Sequence, residues 1–170
     1  MILIRLSFLF SIFIFRFAGL YGQQIVHVAG MKFSYSIEER QLICKLEAPT
    51  NGWVGVGFNK QNSIEGSDLL LFNIVKGKPT YTDLFVKRAG NPKKDIDLGG
   101  ENSIRLIDSQ ENENNTMVHF SVPINSDDPY DFAHKIGESF WLILAYSVED
   151  EFEHHSRVRK HIPFKLELAK

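Results

Sequence analysis

The sequence predicts an all-β fold, an immunoglobulin-like antiparallel β-sandwich of about nine to eleven strands. Three observations carry that prediction. Apolar side chains recur at every second position, placing Phe33, Tyr35 and Ile37 on one face of a strand and Val118, Phe120 and Val122 on a face of another. Turn-forming clusters punctuate the chain at Glu38-Glu39-Arg40, Pro49-Thr50-Asn51-Gly52, Lys76-Gly77-Lys78, Asn91-Pro92 and the Asn-rich stretch from Glu111 to Asn115. Helical periodicity is nearly absent, so there are no crossover helices to make neighbouring strands parallel.

The strands read in order as Ile25–Val28, Lys32–Ile37, Gln41–Glu47, Gly52–Phe58, Asp68–Val75, Pro79–Lys87, Ser103–Asp108, Thr116–Val122, Ser139–Val148 and His161–Leu168. The Gly52 strand supplies bulk at Trp53, Val54, Val56 and Phe58, while Gly55 and Gly57 leave one face open to a close approach. Phe140–Ala145 (FWLILA) shows no alternation and reads as a central strand buried on both faces. Gly90–Glu101 reads as a loop.

With 170 residues the chain has room for one domain and a small appendage. Residues 1–23 read as a secretory signal peptide, with Arg5, an apolar run from Leu6 to Phe15, Arg16, and small residues at Ala18, Gly19 and Gly22. Residues 24–170 then form the domain. The apolar run is too short for a spanning helix, which needs about 20 residues. A formal charge of −2 favours neither nucleic acid nor an anionic membrane surface as partner. The single cysteine, Cys44, alternates with Leu42 and Leu46 and faces the core. An exported chain with one cysteine has no internal disulfide, so its stability rests on packing. These features describe a secreted or periplasmic protein, and the Ile/Phe- and Lys/Asn-rich composition leans towards the bacterial periplasm.

The order of several short motifs resembles the DOMON domain, the extracytoplasmic β-sandwich of dopamine β-hydroxylase-like proteins and of the cytochrome part of cellobiose dehydrogenase. GWVGVGF at Gly52–Phe58 resembles that family's early strand, and Glu65-Gly66-Ser67-Asp68 its glycine–small–aspartate turn. Tyr81-Thr82-Asp83 is similar to its mid-domain aspartate, and Asn91-Pro92 with Asp95 and Asp97 to the following loop. Phe120-Ser121-Val122-Pro123 with Asp128 and Asp131 continues the order, and Trp141–Tyr146 resembles the strand before a C-terminal histidine. The resemblance spans Met31 to Leu168.

That resemblance implies a module holding haem b, a sugar or a similar ring-shaped ligand. In haem-binding relatives a methionine before the turn and a histidine near the C-terminus hold the iron. His155 occupies the histidine position, and the methionine position falls on Ile64, which has no lone pair to donate. Met31 and Met117 lie elsewhere along the chain. His154 and His155 therefore admit three readings: solvated loop histidines, one axial haem ligand with the far side open or filled by His119, His134 or His27, or a transition-metal site with Glu151 and Glu153. Trp53 and Trp141 are core residues or the stacking wall of a ligand pocket. Asp68 reads as bonding the Gly66 turn, and a calcium site fed by Asp127, Asp128 and Asp131 does not have the spacing of a calcium loop.

Neither a nucleophile elbow, a phosphate-cradling glycine loop nor a metalloprotease histidine pair occurs in the sequence. The expected function is a non-catalytic exported ligand-binding module with site residues His155, Ile64, Trp53 and Trp141. The alternative is a small b-type cytochrome passing electrons to a membrane or periplasmic partner.

Overall fold

Residues 24–168 are described by the structure, a computed structural model; the stretch read as a signal peptide lies outside them. Eleven strands and one short helix follow in order. They are β1 (Gln24–Val28), β2 (Met31–Glu38), β3 (Gln41–Ala48), β4 (Val54–Asn59), β5 (Asp68–Val75), β6 (Lys78–Arg88), β7 (Asn91–Lys94), α1 (Asp95–Leu98), β8 (Arg105–Asn112), β9 (Asn115–Pro123), β10 (Ser139–Tyr146) and β11 (Val158–Lys165). One sheet has the order β1-β2-β3-β9-β8, the other β11-β10-β4-β5-β6-β7. Every pairing is antiparallel, so the chain is the sandwich its sequence predicts.

Alternation decides what fills the space between the sheets. Phe33, Tyr35, Leu42, Cys44, Leu46, Val118 and Phe120 face inward from one sheet, and Val56, Phe58, Leu70, Phe72, Leu142 and Leu144 from the other. Cys44 is buried and unpaired, as its spacing predicts. The six-stranded sheet is unusual in being apolar on its outer face too. There Trp53, Leu71, Leu84 and Ala145 form a second cluster, with Leu69 and Phe152 packed against it. This is why the β10 sequence shows no alternation: Leu142 and Ile143, on opposite faces, are both 0% exposed.

Three expectations need correction. β10 is buried on both faces but is not central, lying one strand in from the β11 edge. The last strand runs over Val158–Lys165 rather than His161–Leu168, because it follows the register Ile143↔His161 and Leu144↔Lys160 set by β10. The stretch Gly90–Glu101 is not simply a loop. Its Asn91–Lys94 segment adds an edge strand to β6, and Asp95–Leu98 forms one helical turn ending at Gly99, φ +92°.

The glycines of β4 act as its sequence suggests. A Cβ on Gly55 would lie 2.6 Å from Leu71 Cδ2, and one on Gly57 would lie 3.2 Å from Ile143 Cβ. Both glycines let large neighbours close over the strand on its outer face.

Candidate functional site

The outer face of the six-stranded sheet holds a cavity of about 940 Å³. That volume lies within the range of small-molecule pockets. Its floor is built from Leu69 and Leu71 of β5, Leu84 of β6, and Ile143 and Ala145 of β10. One wall comes from β7 and α1, including Pro92, Lys94 and Ile96; the opposite wall is the segment Phe152–Ser156 together with Arg159. Trp53 closes part of the floor and is 5% exposed, and its indole N–H has no hydrogen-bond partner. The site thus combines an apolar floor with a rim of mixed charge, Lys93, Lys94 and Arg159 beside Asp97 and Glu153.

Ile64 reaches this cavity through a tightly bonded turn. Asn59 Nδ2 donates to the carbonyls of Ser63 (2.7 Å) and Glu65 (2.9 Å), and Ser67 Oγ donates to the Ile64 carbonyl (2.7 Å). Gly66, at φ +83°, donates its N–H to the Val86 carbonyl at 2.7 Å, docking the turn onto β6. The carboxylate of Asp68 is not what closes this turn. It points elsewhere, with Oδ2 accepting the Phe132 N–H at 2.9 Å.

His155 enters from the other side. The Ser147 N–H donates to the Trp53 carbonyl (2.9 Å) and the Arg157 N–H to that of Tyr146 (2.8 Å), fixing both ends of the segment. Ser147 Oγ donates to the His155 carbonyl at 3.4 Å, and Asn73 Nδ2 to that of Asp150 at 2.7 Å. Both His154 and His155 line the cavity, although both are exposed.

Three of the four predicted site residues, Trp53, Ile64 and His155, therefore share one cavity. Trp141 does not line it. Its β10 position is on the face of Ile143, but it pairs with Asn59 and Pro163 at the far end of the strand. The three histidines considered for the far side of an iron are elsewhere as well. His27 is exposed on β1, and His119 lies on β9 of the other sheet. His134 is 3% exposed, and its ring lies edge-on to Phe58 with centroids 4.5 Å apart. Burial pushes its imidazole down to about 4. The exposed group whose ligand atoms converge near the C-terminus is Glu149, Glu151 and His154, not the His154–His155 pair with Glu151 and Glu153.

A second constellation escaped the sequence reading. Ligand oxygens of Asp83 (β6), Asp95 (α1) and Asp131 lie within 4.8 Å of one another. Asp68 adjoins them; burial and then the charge of Asp83 raise it well above the ordinary carboxylate range. Burial pushes Asp83 up to about 7, the Ser103 N–H (2.8 Å to Oδ2) pulling the other way. Asp95 is likewise pushed up to about 7, by burial first and then by Asp83. Asp131 Oδ2 accepts from Ser126 Oγ at 2.6 Å and from Ser103 Oγ. The missing signal was spatial: strand β6, the turn α1 and the β9–β10 connection converge, and no spacing in the sequence announces it.

Comparison with known proteins agrees with the fold. The family model of the DOMON domain matches residues 28–147. Among curated proteins, the chain is 28% identical over 113 residues to "DBH-like monooxygenase protein 1" of Mus musculus, covering 66% of this chain and 18% of that protein. It is 26% identical over 125 residues to "Putative DBH-like monooxygenase protein 2" of Homo sapiens, covering 73% and 24%. With "MOXD1 homolog 2" of Drosophila melanogaster it shares 24% over 116 residues, 68% of this chain and 15% of that one. The chain thus spans less than a quarter of the length of each of these relatives. Among solved structures, the cytochrome b domain of pyranose dehydrogenase from Coprinopsis cinerea superposes with a TM-score of 0.59 at 13% identity, covering 79% of this chain and 75% of that one. The cytochrome domain of Myriococcum thermophilum cellobiose dehydrogenase gives 0.55 at 10% identity, covering 83% and 77%. These two likenesses establish a shared fold, and with the family match over most of the described strands they lead to one statement: this chain belongs to the DOMON domain family.

Proposed function

We propose that this protein is an exported, non-catalytic DOMON module that binds a ring-shaped ligand, haem, a sugar or a similar molecule, in the outer-face cavity of its six-stranded sheet. The observation that carries the reading is the convergence of Trp53, Ile64 and His155 on one apolar-floored cavity from three separate parts of the chain. An aromatic side chain in the lining suits stacking against a ring. Lys93, Lys94 and Arg159 at the rim suit a ligand with carboxylates.

Haem fits this donor set through one protein ligand. His155 offers an imidazole nitrogen and Ile64, in the same cavity, offers no lone pair. Haem, when bound, supplies one-electron chemistry. The chain's part is to shelter the ring on Leu69, Leu71, Ile143 and Ala145 and to offer His155 to the iron. A b-type cytochrome working with a membrane redox partner is the second reading; the specific observation in its favour is that His155 and position 64, the two places a haem-binding relative would use, line the same cavity. Among the described residues no helix is long and apolar enough to cross a membrane.

The test is titration of the purified protein with haemin, followed by visible absorption. Saturable binding at micromolar concentrations, lost in His155→Ala and tightened in Ile64→Met with a raised reduction potential, supports the haem reading, since thioether ligation favours ferrous iron. If neither wild type nor Ile64→Met binds haem, haem is excluded and the sugar arm decides. Quenching of Trp53 fluorescence by mono- and oligosaccharides, lost in Trp53→Ala, supports it. Failure of both arms refutes the cavity as a binding site.

A further inference from the structure

On the rim side of the same sheet, Asp68, Asp83, Asp95 and Asp131 meet, with Asp128 close by, and among the described residues no ion pair offsets the four. Asp95 is 0% exposed, Asp83 3% and Asp68 7%. Both carboxylate oxygens of Asp95, Oδ1 of Asp83 and Oδ1 of Asp68 are buried with no hydrogen-bond partner. The Phe85 N–H faces Asp95 favourably without closing a hydrogen bond to it. No lysine, arginine or histidine among the described residues forms an ion pair with any of the four. An isolated buried carboxylate costs several kcal/mol, and breaking its compensation is strongly destabilising. Converging, outwardly unsatisfied oxygens are what a hard cation takes as ligands.

We propose that Asp83, Asp95 and Asp131, flanked by Asp68, form a binding site for one calcium ion. Both oxygens of Asp95 are free to bind in a bidentate manner, and Oδ1 of Asp83 and of Asp68 are free as well. Asp131 commits Oδ2 to the hydroxyls of Ser103 and Ser126, which orient its carboxylate. Carboxylates drawn from separate elements, completed by carbonyls or water, match the large and adaptable shell of calcium. Magnesium demands a tighter octahedron and keeps more of its own water. The ion also has a structural task. Asp95 belongs to the single turn that follows β7, so a cation shared with Asp83 ties the β7–α1 wall of the cavity to β6. Asp127 is exposed and is not part of the group, so it serves as a control.

The experiment uses the full chain as secreted, stripped with a chelator that is then dialysed away, and titrated with calcium chloride and in parallel with magnesium chloride. Calorimetry should give one calcium per chain. At a 100-fold excess of calcium over its Kd the unfolding midpoint should rise by about 5–10 °C. Asp95→Asn should abolish both signals and Asp127→Asn should keep them. If Asp95→Asn fails to fold, Asp131→Asn, which is half-buried, replaces it with the same expected loss. The proposal is overturned by the absence of binding heat and midpoint shift at millimolar calcium, by an Asp95 or Asp131 variant that retains them, by loss of both in Asp127→Asn, or by magnesium matching calcium. None of these readouts depends on the ligand of the cavity.

Discussion

His134 offers a sharp test of how dry the core is. Its ring sits among Phe58, Phe132 and Phe140, and its Nδ1 has no hydrogen-bond partner. Burial alone depresses it, from 6.5 to about 4. Between those values the unfolded chain takes up a proton that the folded chain refuses, so stability must rise with pH there and be lost as pH falls through the window. Going from about pH 7 to about pH 5, linkage with these two values removes about 2 kcal/mol. For a domain of this size that is a fall in unfolding midpoint of about 4–8 °C. Asp83 and Asp95 work in the opposite sense, because their raised values let the folded state hold protons that the unfolded state releases. The His134→Phe variant separates the contributions, since it keeps an aromatic ring in the cage and cannot titrate. Urea melts of wild type and variant at both pH values give the answer as a difference of differences, whatever constant cost the extra bulk imposes. If the two proteins lose the same stability on acidification, water reaches the imidazole and the argument from burial fails.

Two further predictions concern packing. Leu142→Ala, at a 0% exposed position, should cost about 2–5 kcal/mol in denaturant melts, whereas His154→Ala on the exposed segment should leave the midpoint nearly unchanged. Gly57→Ala places a Cβ 3.2 Å from Ile143 Cβ and 3.3 Å from Leu69 Cδ1, so it should weaken ligand binding in the cavity while costing about 1–3 kcal/mol in stability, read by titration and melts on the same sample.

Much of the fold was legible because burial imposes period two on one sheet. β3 alternates between half-buried and buried residues along its whole length, and its neighbours follow its register. The six-stranded sheet was legible for the opposite reason: GWVGVGF, LLLFNIV and FWLILA carry no polar face because both faces are covered. β7 was missed since Asn91-Pro92-Lys93-Lys94 has no apolar pattern, all four residues being exposed, and pairing with β6 alone makes it a strand. Of the candidate site, Ile64 and His155 were singled out by motif order and Trp53 by its ring, and the three line one cavity. Trp141, grouped with Trp53 as an aromatic ring, lies outside the cavity because residue type does not report position along the strand. Asp95 was taken for a loop residue, since only the chain's return through Asp131 brings a buried aspartate cluster together.

The four lateral edges of the sandwich bear on how the molecule meets others. β7 ends one sheet with a proline and two lysines, and β11 ends it on the other side with Pro163 between Lys160 and Lys165. In the second sheet, β1 is only five residues long, and β8 breaks register between Leu106 and Asp108. Prolines, charges, short length and bulges are the devices by which sheets refuse a foreign strand. Among the described residues each edge thus carries a device against growth of the sheet by a copy of this chain, the first step towards an amyloid-like ribbon. Among the described residues this leaves the faces and the loops for a protein partner, and the outer face of the six-stranded sheet offers it the apolar floor of the cavity.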